Sequence, residues 1–294
     1  MENSISRRSV IRKLAGTGAA LGTMTTGNFG DSRAASVETK LRGRINHSVC
    51  KWCYGGVNLE DLCREGRKMG LGSVELLETD SFPVLKRHDL VCAMVSGVPG
   101  GITKGLNRRE NHASIREFFE RTIPVVAEWG YPNIICFSGN RDGMSDELGL
   151  EICAEGLRSM IGVAEKHKVT ICMELLNSKV DHKDYMCDHT AWGAELAGRV
   201  GSERFKLLYD IYHMQIMEGD VIRTIRENHQ FIGHYHTGGV PGRHEIDEAQ
   251  ELYYPAIMRA IVETGFKGFV AQEFIPARKD VLESLRQGVS ICDV

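Results

Sequence analysis

The chain has 294 residues, 42% of them hydrophobic and 26% charged, with 7 prolines and no low-complexity tract, which excludes disordered, fibrous and small disulfide-stapled proteins. Its 36 basic and 39 acidic residues leave a net charge of −3, too little positive field to grip a phosphate backbone. Nucleic acid is therefore not an expected partner.

The N-terminal segment Ser6-Arg7-Arg8-Ser9-Val10-Ile11-Arg12-Lys13 runs into a weakly apolar stretch rich in Gly, Ala and Thr, Leu14 to Thr26, followed by Ser32-Arg33-Ala34-Ala35. It is too short and too polar to span a bilayer stably and resembles a twin-arginine export leader. Residues 1–35 are expected to be a signal peptide and the mature protein periplasmic, with no membrane partner after export. A cytoplasmic protein with a disordered basic tail is the alternative. Residues 1–35 carry five basic and two acidic side chains, so cleavage would take the net charge from −3 to −6. Of the nine cysteines, Cys92, Cys136 and Cys172 sit inside apolar runs and read as small buried hydrophobes. Cys50 and Cys53 have C-x-x-C spacing without a second pair, which suggests a structural pair of thiols or one local disulfide rather than a zinc knuckle.

From residue 40 onward a short apolar run alternates with a longer segment of helical period. The runs are Ile45 to Cys50, Ser73 to Leu77, Leu90 to Val95, Asn133 to Phe137, Val169 to Leu175, Phe205 to Ile211, Phe231 to His236 and Gly268 to Phe274. Amphipathic helices are expected over Leu59 to Met69, Ile115 to Trp129, Leu148 to His167, Ala191 to Val200, Asp220 to Asn228 and Glu251 to Glu263, several closed by glycines such as Gly130 and Gly265. Runs apolar on both faces, joined by crossovers of this length, make parallel strands covered on both sides. Eight units, with no G-x-G-x-x-G after the first, favour a single-domain (β/α)8 barrel over 40–294 rather than a dinucleotide-binding sheet.

A barrel of this kind carries its chemistry at the C-terminal ends of the strands, where the fifth to eighth runs end in Glu174, Asp210, His236 and Glu273. Burying a carboxylate among Leu, Ile and Met costs several kcal/mol unless it is paired or bound to a cation. Three converging carboxylates repel one another, and one divalent cation held by these four residues relieves that repulsion. Three carboxylates and an imidazole suit Mg²⁺ or Mn²⁺, with Co²⁺ and Zn²⁺ as further candidates. Strand alternation sends His234 the same way as His236 but deeper.

The strand end Met173-Glu174-Leu175-Leu176-Asn177, the segment Asp210-Ile211-Tyr212-His213, and Gly233-His234-Tyr235-His236 leading into Val240-Pro241-Gly242-Arg243-His244-Glu245 resemble the hydroxypyruvate isomerase-like members of the xylose isomerase-like TIM barrels, a superfamily of sugar isomerases and epimerases. The resemblance covers about residues 45–275. It implies one metal on Glu174, Asp210, His236 and Glu273, and isomerisation of a small α-hydroxycarbonyl compound through a cis-enediolate, with Glu174 and Glu273 as the two proton carriers. Hydroxypyruvate isomerases commonly carry Gln where this chain has His236, and His there is closer to the ketose 3-epimerases, which makes an epimerase the first alternative. An apurinic-site endonuclease and a non-catalytic sugar-binding barrel are the others. His213 and Arg243 are expected to bind the substrate, a keto acid or ketose, Arg243 by its bidentate geometry. Glu75 and Asn107-Arg108-Arg109 are further candidates for the barrel mouth. The sequence is compatible with a homo-oligomer and leaves the assembly open.

Overall fold

The computed structural model describes residues 40–294. The expected leader over 1–35 lies outside the described residues. Seven strands, β1 (Asn46–Cys50), β2 (Ser73–Glu75), β3 (Asn133–Cys136), β4 (Thr170–Glu174), β5 (Phe205–Asp210), β6 (Ile232–Thr237) and β7 (Phe269–Gln272), form one parallel sheet in the order β2-β1-β7-β6-β5-β4-β3. They correspond to seven of the eight apolar runs.

The third run, Leu90 to Val95, closes the ring without forming a ladder. It makes single parallel bridges, Ser73 to Val91 and Leu77 to Val95 on one side and Val95 to Ile134 on the other. Neighbouring side chains take the backbone groups that a ladder would use: Ala93 N–H donates to Ser73 Oγ at 2.9 Å and Ala93 C=O accepts from Asn133 Nδ2 at 2.9 Å. The eighth strand expected from hydrophobic pattern is thus an irregular segment held by side chains.

The helices are α1 (Leu59–Lys68), α2 (Phe82–Arg87), α3 (Arg109–Glu128), α4 (Asp146–His167), α5 (Thr190–Val200), α6 (Ile211–Met217), α7 (Val221–Asn228), α8 (Tyr254–Glu263) and α9 (Val281–Cys292). Six match the expected segments; α2, α6 and α9 were not anticipated. The apolar run expected to continue through Ile211 instead turns into α6, because Asp210 caps that helix and its Oδ1 accepts the His213 N–H at 3.2 Å. Gly130 and Gly265 follow α3 and α8 with φ of +72° and +82°, the left-handed closure that glycine adopts without strain. The main core lies between the ring and its helices, and a smaller cluster of Met94, Ile135, Cys172 and Leu208 fills the barrel interior.

Two local devices aim side chains at the upper end of the ring. Between β5 and β6 the pairing slips at Gly233: Leu207 faces Ile232, yet Leu208 faces His234 and Asp210 faces His236. The slip seats His236 rather than Tyr235 beside Asp210. Gly233 suits the site because a Cβ there would come within 2.9 Å of Lys206 Cβ.

The second device is the turn after β6. Gly239 N–H donates to His244 C=O at 2.9 Å, Arg243 N–H to Gly239 C=O at 2.8 Å, and Ile275 N–H to Arg243 C=O at 2.6 Å. Arg243 itself has φ of +59°. Glu245 anchors the turn to the chain after β7, accepting from the amides of Ala277 at 3.2 Å and Arg278 at 3.1 Å and from Ser284 Oγ at 2.7 Å.

Burial alone would raise the Glu245 carboxyl, but Ser284 and the two amides outweigh it and hold the group below its ordinary range. A carboxyl lowered on folding stabilises the fold fully above its unfolded value, near 4.3, and loses that contribution as pH falls through the folded value. Glu245→Ala is expected to cost on the order of 2–3 kcal/mol near neutral pH. The difference in melting temperature from wild type should hold through neutral pH and shrink below about pH 4.3. Calorimetric scans of both proteins across pH test this, and a gap that widens on acidification would contradict it.

Candidate active site

Four strand ends meet at the mouth of the barrel. Glu174 ends β4, Asp210 ends β5, His236 lies on β6, and Glu273 follows β7 by one residue. Each offers a ligand atom, these atoms all lie within 4.8 Å of one another, and all four residues are buried. His236 Nδ1 is 2.8 Å from Glu273 Oε2 and 3.4 Å from Glu174 Oε1. Glu174 Oε1 is buried with no hydrogen-bond partner. An orphaned carboxylate oxygen among two further carboxylates and an imidazole nitrogen is a donor set that fits a divalent cation.

Arg243 joins the group. Its Nη2 donates to Glu273 Oε2 at 2.6 Å and to Asp210 Oδ2 at 3.3 Å, and its guanidinium lies over the rings of Trp52 and Tyr212, 5.1 and 5.2 Å from their centroids. Trp52 Nε1 donates to Glu273 Oε1 at 2.8 Å, so both oxygens of that carboxylate are oriented. His213 is fully buried in the first turn of α6. Its Nδ1 accepts from the Asn177 N–H at 3.1 Å, and its Nε2, 3.6 Å from Asp210 Oδ2, has no hydrogen-bond partner.

The electrostatics separate the carboxyls. Burial pushes Glu174 up, reinforced by the charge of Glu273. Burial likewise raises Asp210, against the pull of Arg243. For Glu273, burial is outweighed by the charges of His236 and Arg243, which hold it well below the carboxylate range. Burial would depress His236, but the surrounding acidic groups, Glu273 and Glu174 among them, hold its imidazolium above the ordinary range.

A second layer lies below. Glu75 on β2, fully buried, has its Oε1 2.9 Å from His236 Nε2 and 2.7 Å from His234 Nε2, while its Oε2 accepts from Ser48 Oγ. Burial would raise this carboxyl, yet His234 and His236 bring it down to about 2. An ionised Glu75 holds a proton on His236 Nε2 and turns Nδ1 toward Glu174 and Glu273, where a cation would take the place of the Nδ1 proton.

The expected cluster of Glu174, Asp210, His236 and Glu273 is assembled, with Arg243 beside it. Asn107-Arg108-Arg109 does not reach it: Asn107 donates to Asn140 C=O at 2.6 Å, Arg108 to Arg141 C=O at 2.7 Å, and Arg109 pairs with Glu155, because α3 begins at Arg109 and carries that side chain to the outside of the ring. Glu75 lies beneath the cluster rather than at its mouth; a lone acid in an apolar run was the available signal. Trp52 was missed, since C-K-W-C reads as a thiol motif. Cys50 and Cys53 are free thiols, and Cys50 Sγ lies 3.7 Å from His236 Nε2.

A profile of the xylose isomerase-like TIM barrel matches residues 83–289. The chain belongs to this family. Among curated relatives, a human protein named "Putative hydroxypyruvate isomerase" is 30% identical over 178 residues, 59% of this chain and 64% of the relative. A 2-oxo-tetronate isomerase of Cupriavidus necator is 33% identical over 122 residues, 42% of this chain and 46% of the relative. The matched stretches therefore span less than two thirds of either relative's length. Among solved structures, an AP endonuclease of family 2 from Brucella melitensis superposes with a TM-score of 0.74 at 24% identity, covering 82% of this chain and 96% of that one, a likeness of fold alone. The family's xylose isomerase-like barrel is the architecture found here.

Glu75→Gln keeps the shape of the second layer but removes the charge that fixes the His236 tautomer. Affinity for Mn²⁺, measured by isothermal titration, is expected to drop about 10- to 100-fold with the far-ultraviolet circular dichroism spectrum unchanged. Unaltered affinity in the folded variant would count against this role.

Proposed function

We propose that this family member is a divalent-metal-dependent isomerase of a small α-hydroxycarbonyl compound, acting through a cis-enediolate. The observation that carries the reading is the convergence of Glu174, Asp210, His236 and Glu273, with ligand atoms within 4.8 Å, in a mouth that opens on a cavity. A cation held by these four side chains, Mg²⁺ or Mn²⁺ by the oxygen-rich donor set with Co²⁺ and Zn²⁺ as alternatives, supplies Lewis acidity for charge developing on adjacent carbonyl and hydroxyl oxygens.

The chain's own residues handle the proton. Glu273, kept ionised by His236 and Arg243 and oriented by Trp52, is the carboxylate that accepts the proton leaving the substrate C–H. Glu174, pushed up by burial, is the member that returns a proton, through the carboxyl oxygen that the cation does not take. Arg243, in the cavity lining, orients the substrate oxygens, whereas His213, expected from sequence to bind substrate, is buried outside that lining with its Nε2 3.6 Å from Asp210 Oδ2 and positions that carboxyl instead.

The same residues would serve a ketose 3-epimerase, and His236 favours that second reading through the resemblance noted above. The two differ in where the proton returns. An epimerase replaces it on the carbon that lost it, from the opposite face; an isomerase delivers it to the neighbouring carbon.

In D₂O with Mn²⁺, screening of hydroxypyruvate and free ketoses by nuclear magnetic resonance is expected to show deuterium entering at substrate carbon, and its position separates the readings. Glu174→Gln and Glu273→Gln should each slow that exchange roughly 10²- to 10⁴-fold, and chelation should abolish it until metal is restored. Folded variants exchanging at the wild-type rate would refute the proposal.

We further propose export by the leader over residues 1–35. Exchanging Arg7 and Arg8 for Lys should retain the protein in the cytoplasm, as fractionation and immunoblotting would reveal; unchanged export would remove this reading.

A further inference from the structure

The cavity above the cluster has a volume of about 410 Å³, within the roughly 300–1,000 Å³ usual for small-molecule sites. A three-carbon keto acid would fill only a minor part of it. Glu174, Glu273 and Arg243 line it where it meets the acidic cluster. The remainder is mainly apolar, built from Leu76, Val98, Ile102, Ile135, Phe137 and Leu176.

Two features make this wall a constructed surface. Leu76 adopts φ of +56°, a region that branched side chains rarely occupy, so backbone strain is accepted where this apolar side chain meets the interior cluster of Met94, Ile135, Cys172 and Leu208. Ile135 lies on β3 and Phe137 directly follows it, two residues apart and so on the same side of the strand, which itself sets the wall.

Charge points the same way. Among the described residues lining the cavity, Arg243 is the one permanent cation; its Nη2 is engaged by Asp210 and Glu273 and its buried Nε is left without a partner, beside the acidic cluster rather than along the apolar wall. His182, also in the lining, is lowered by burial and by the charge of Arg243, so it adds no second positive group. A carboxylate or phosphate at the far end of a substrate would lose its hydration against Leu, Ile, Val and Phe with no counter-charge.

We propose that the substrate is an uncharged α-hydroxycarbonyl compound bearing an apolar substituent: its hydroxyl and carbonyl oxygens meet the acidic cluster and its substituent lies against the wall of Leu76, Val98, Ile102, Ile135, Phe137 and Leu176. This deepens the proposed function and rests on its placing the hydroxycarbonyl end at the cation held by Glu174, Asp210, His236 and Glu273. Each added methylene passes from water to an apolar surface, which is worth about fourfold in affinity.

The test uses the Mn²⁺-loaded protein with hydroxyacetone, hydroxybutanone, hydroxypentanone and hydroxyhexanone, each a terminal hydroxymethyl ketone, beside hydroxypyruvate and dihydroxyacetone phosphate. Two readouts are taken, the dissociation constant by calorimetry and deuterium exchange at the hydroxymethyl carbon. The expected result is binding that tightens about fourfold per methylene, exchange efficiency that rises in parallel, and both anions binding more weakly than the longest ketone. Ile102→Arg, a partly exposed wall position, should flatten the gradient and bring hydroxypyruvate above the ketones. Tighter binding of hydroxypyruvate or the phosphate than of every ketone, or no gradient with chain length, overturns the inference whether or not exchange occurs. A binding gradient without exchange for any compound upholds the wall's preference and overturns the enediolate reading instead.

Discussion

Like charges gathered in a dry place set the terms for this molecule. Glu174, Asp210 and Glu273 converge with His236 inside a radius where any two ionised carboxylates, at most 4.8 Å apart, repel by roughly 3 kcal/mol even in a medium of moderate polarity. Arg243 answers part of that charge by reaching two of the three, and His236, 2.8 Å from Glu273, answers another part from within the cluster. The rings of Trp52 and Tyr212, each within 5.2 Å of the guanidinium, keep the arginine in place at little cost in hydration. What these groups leave unmet, chiefly the buried oxygen of Glu174, is the feature a divalent cation would satisfy.

The scaffold serves that cluster by rigid means. The converging side chains come from strand ends or the residue just beyond, where backbone pairing limits their freedom, and the arginine comes from a turn whose backbone is bonded both to itself and to the chain after β7. Below the cluster, Glu75 collects His234, His236 and Ser48 on one carboxylate and so transmits the orientation of β1, β2 and β6 to a single imidazole. Acid and base character then follow from surroundings alone: burial raises Glu174 while two cationic neighbours lower Glu273, giving chemically distinct partners from the same side chain.

Much of this was legible along the chain. Short continuous apolar runs and period-three-and-four patterns identified the alternation of strands and helices, and acids at the ends of consecutive apolar runs marked the rim, because an unpaired charge in such a run has no other inexpensive explanation. The third run misled, since its composition is that of a strand while Ser73 and Asn133 replace the ladder around Ala93, a contact between segments far apart in sequence. The C-K-W-C segment misled for a related reason. Its spacing draws attention to the thiols, whereas the side chain that touches the cluster is the tryptophan between them.

The sequence by itself determined the class of architecture and the identity of the four converging groups, because hydrophobic period and the cost of burying charge are properties of local chemistry. Tertiary structure alone decided which of their neighbours matter: the one-residue slip at Gly233 that seats His236 beside Asp210, the fold-back that lays Arg243 across two carboxylates, and the placement of Glu75 underneath. Each depends on the register or approach of segments remote in the chain, and register is fixed by packing across the ring rather than by anything a single strand contains.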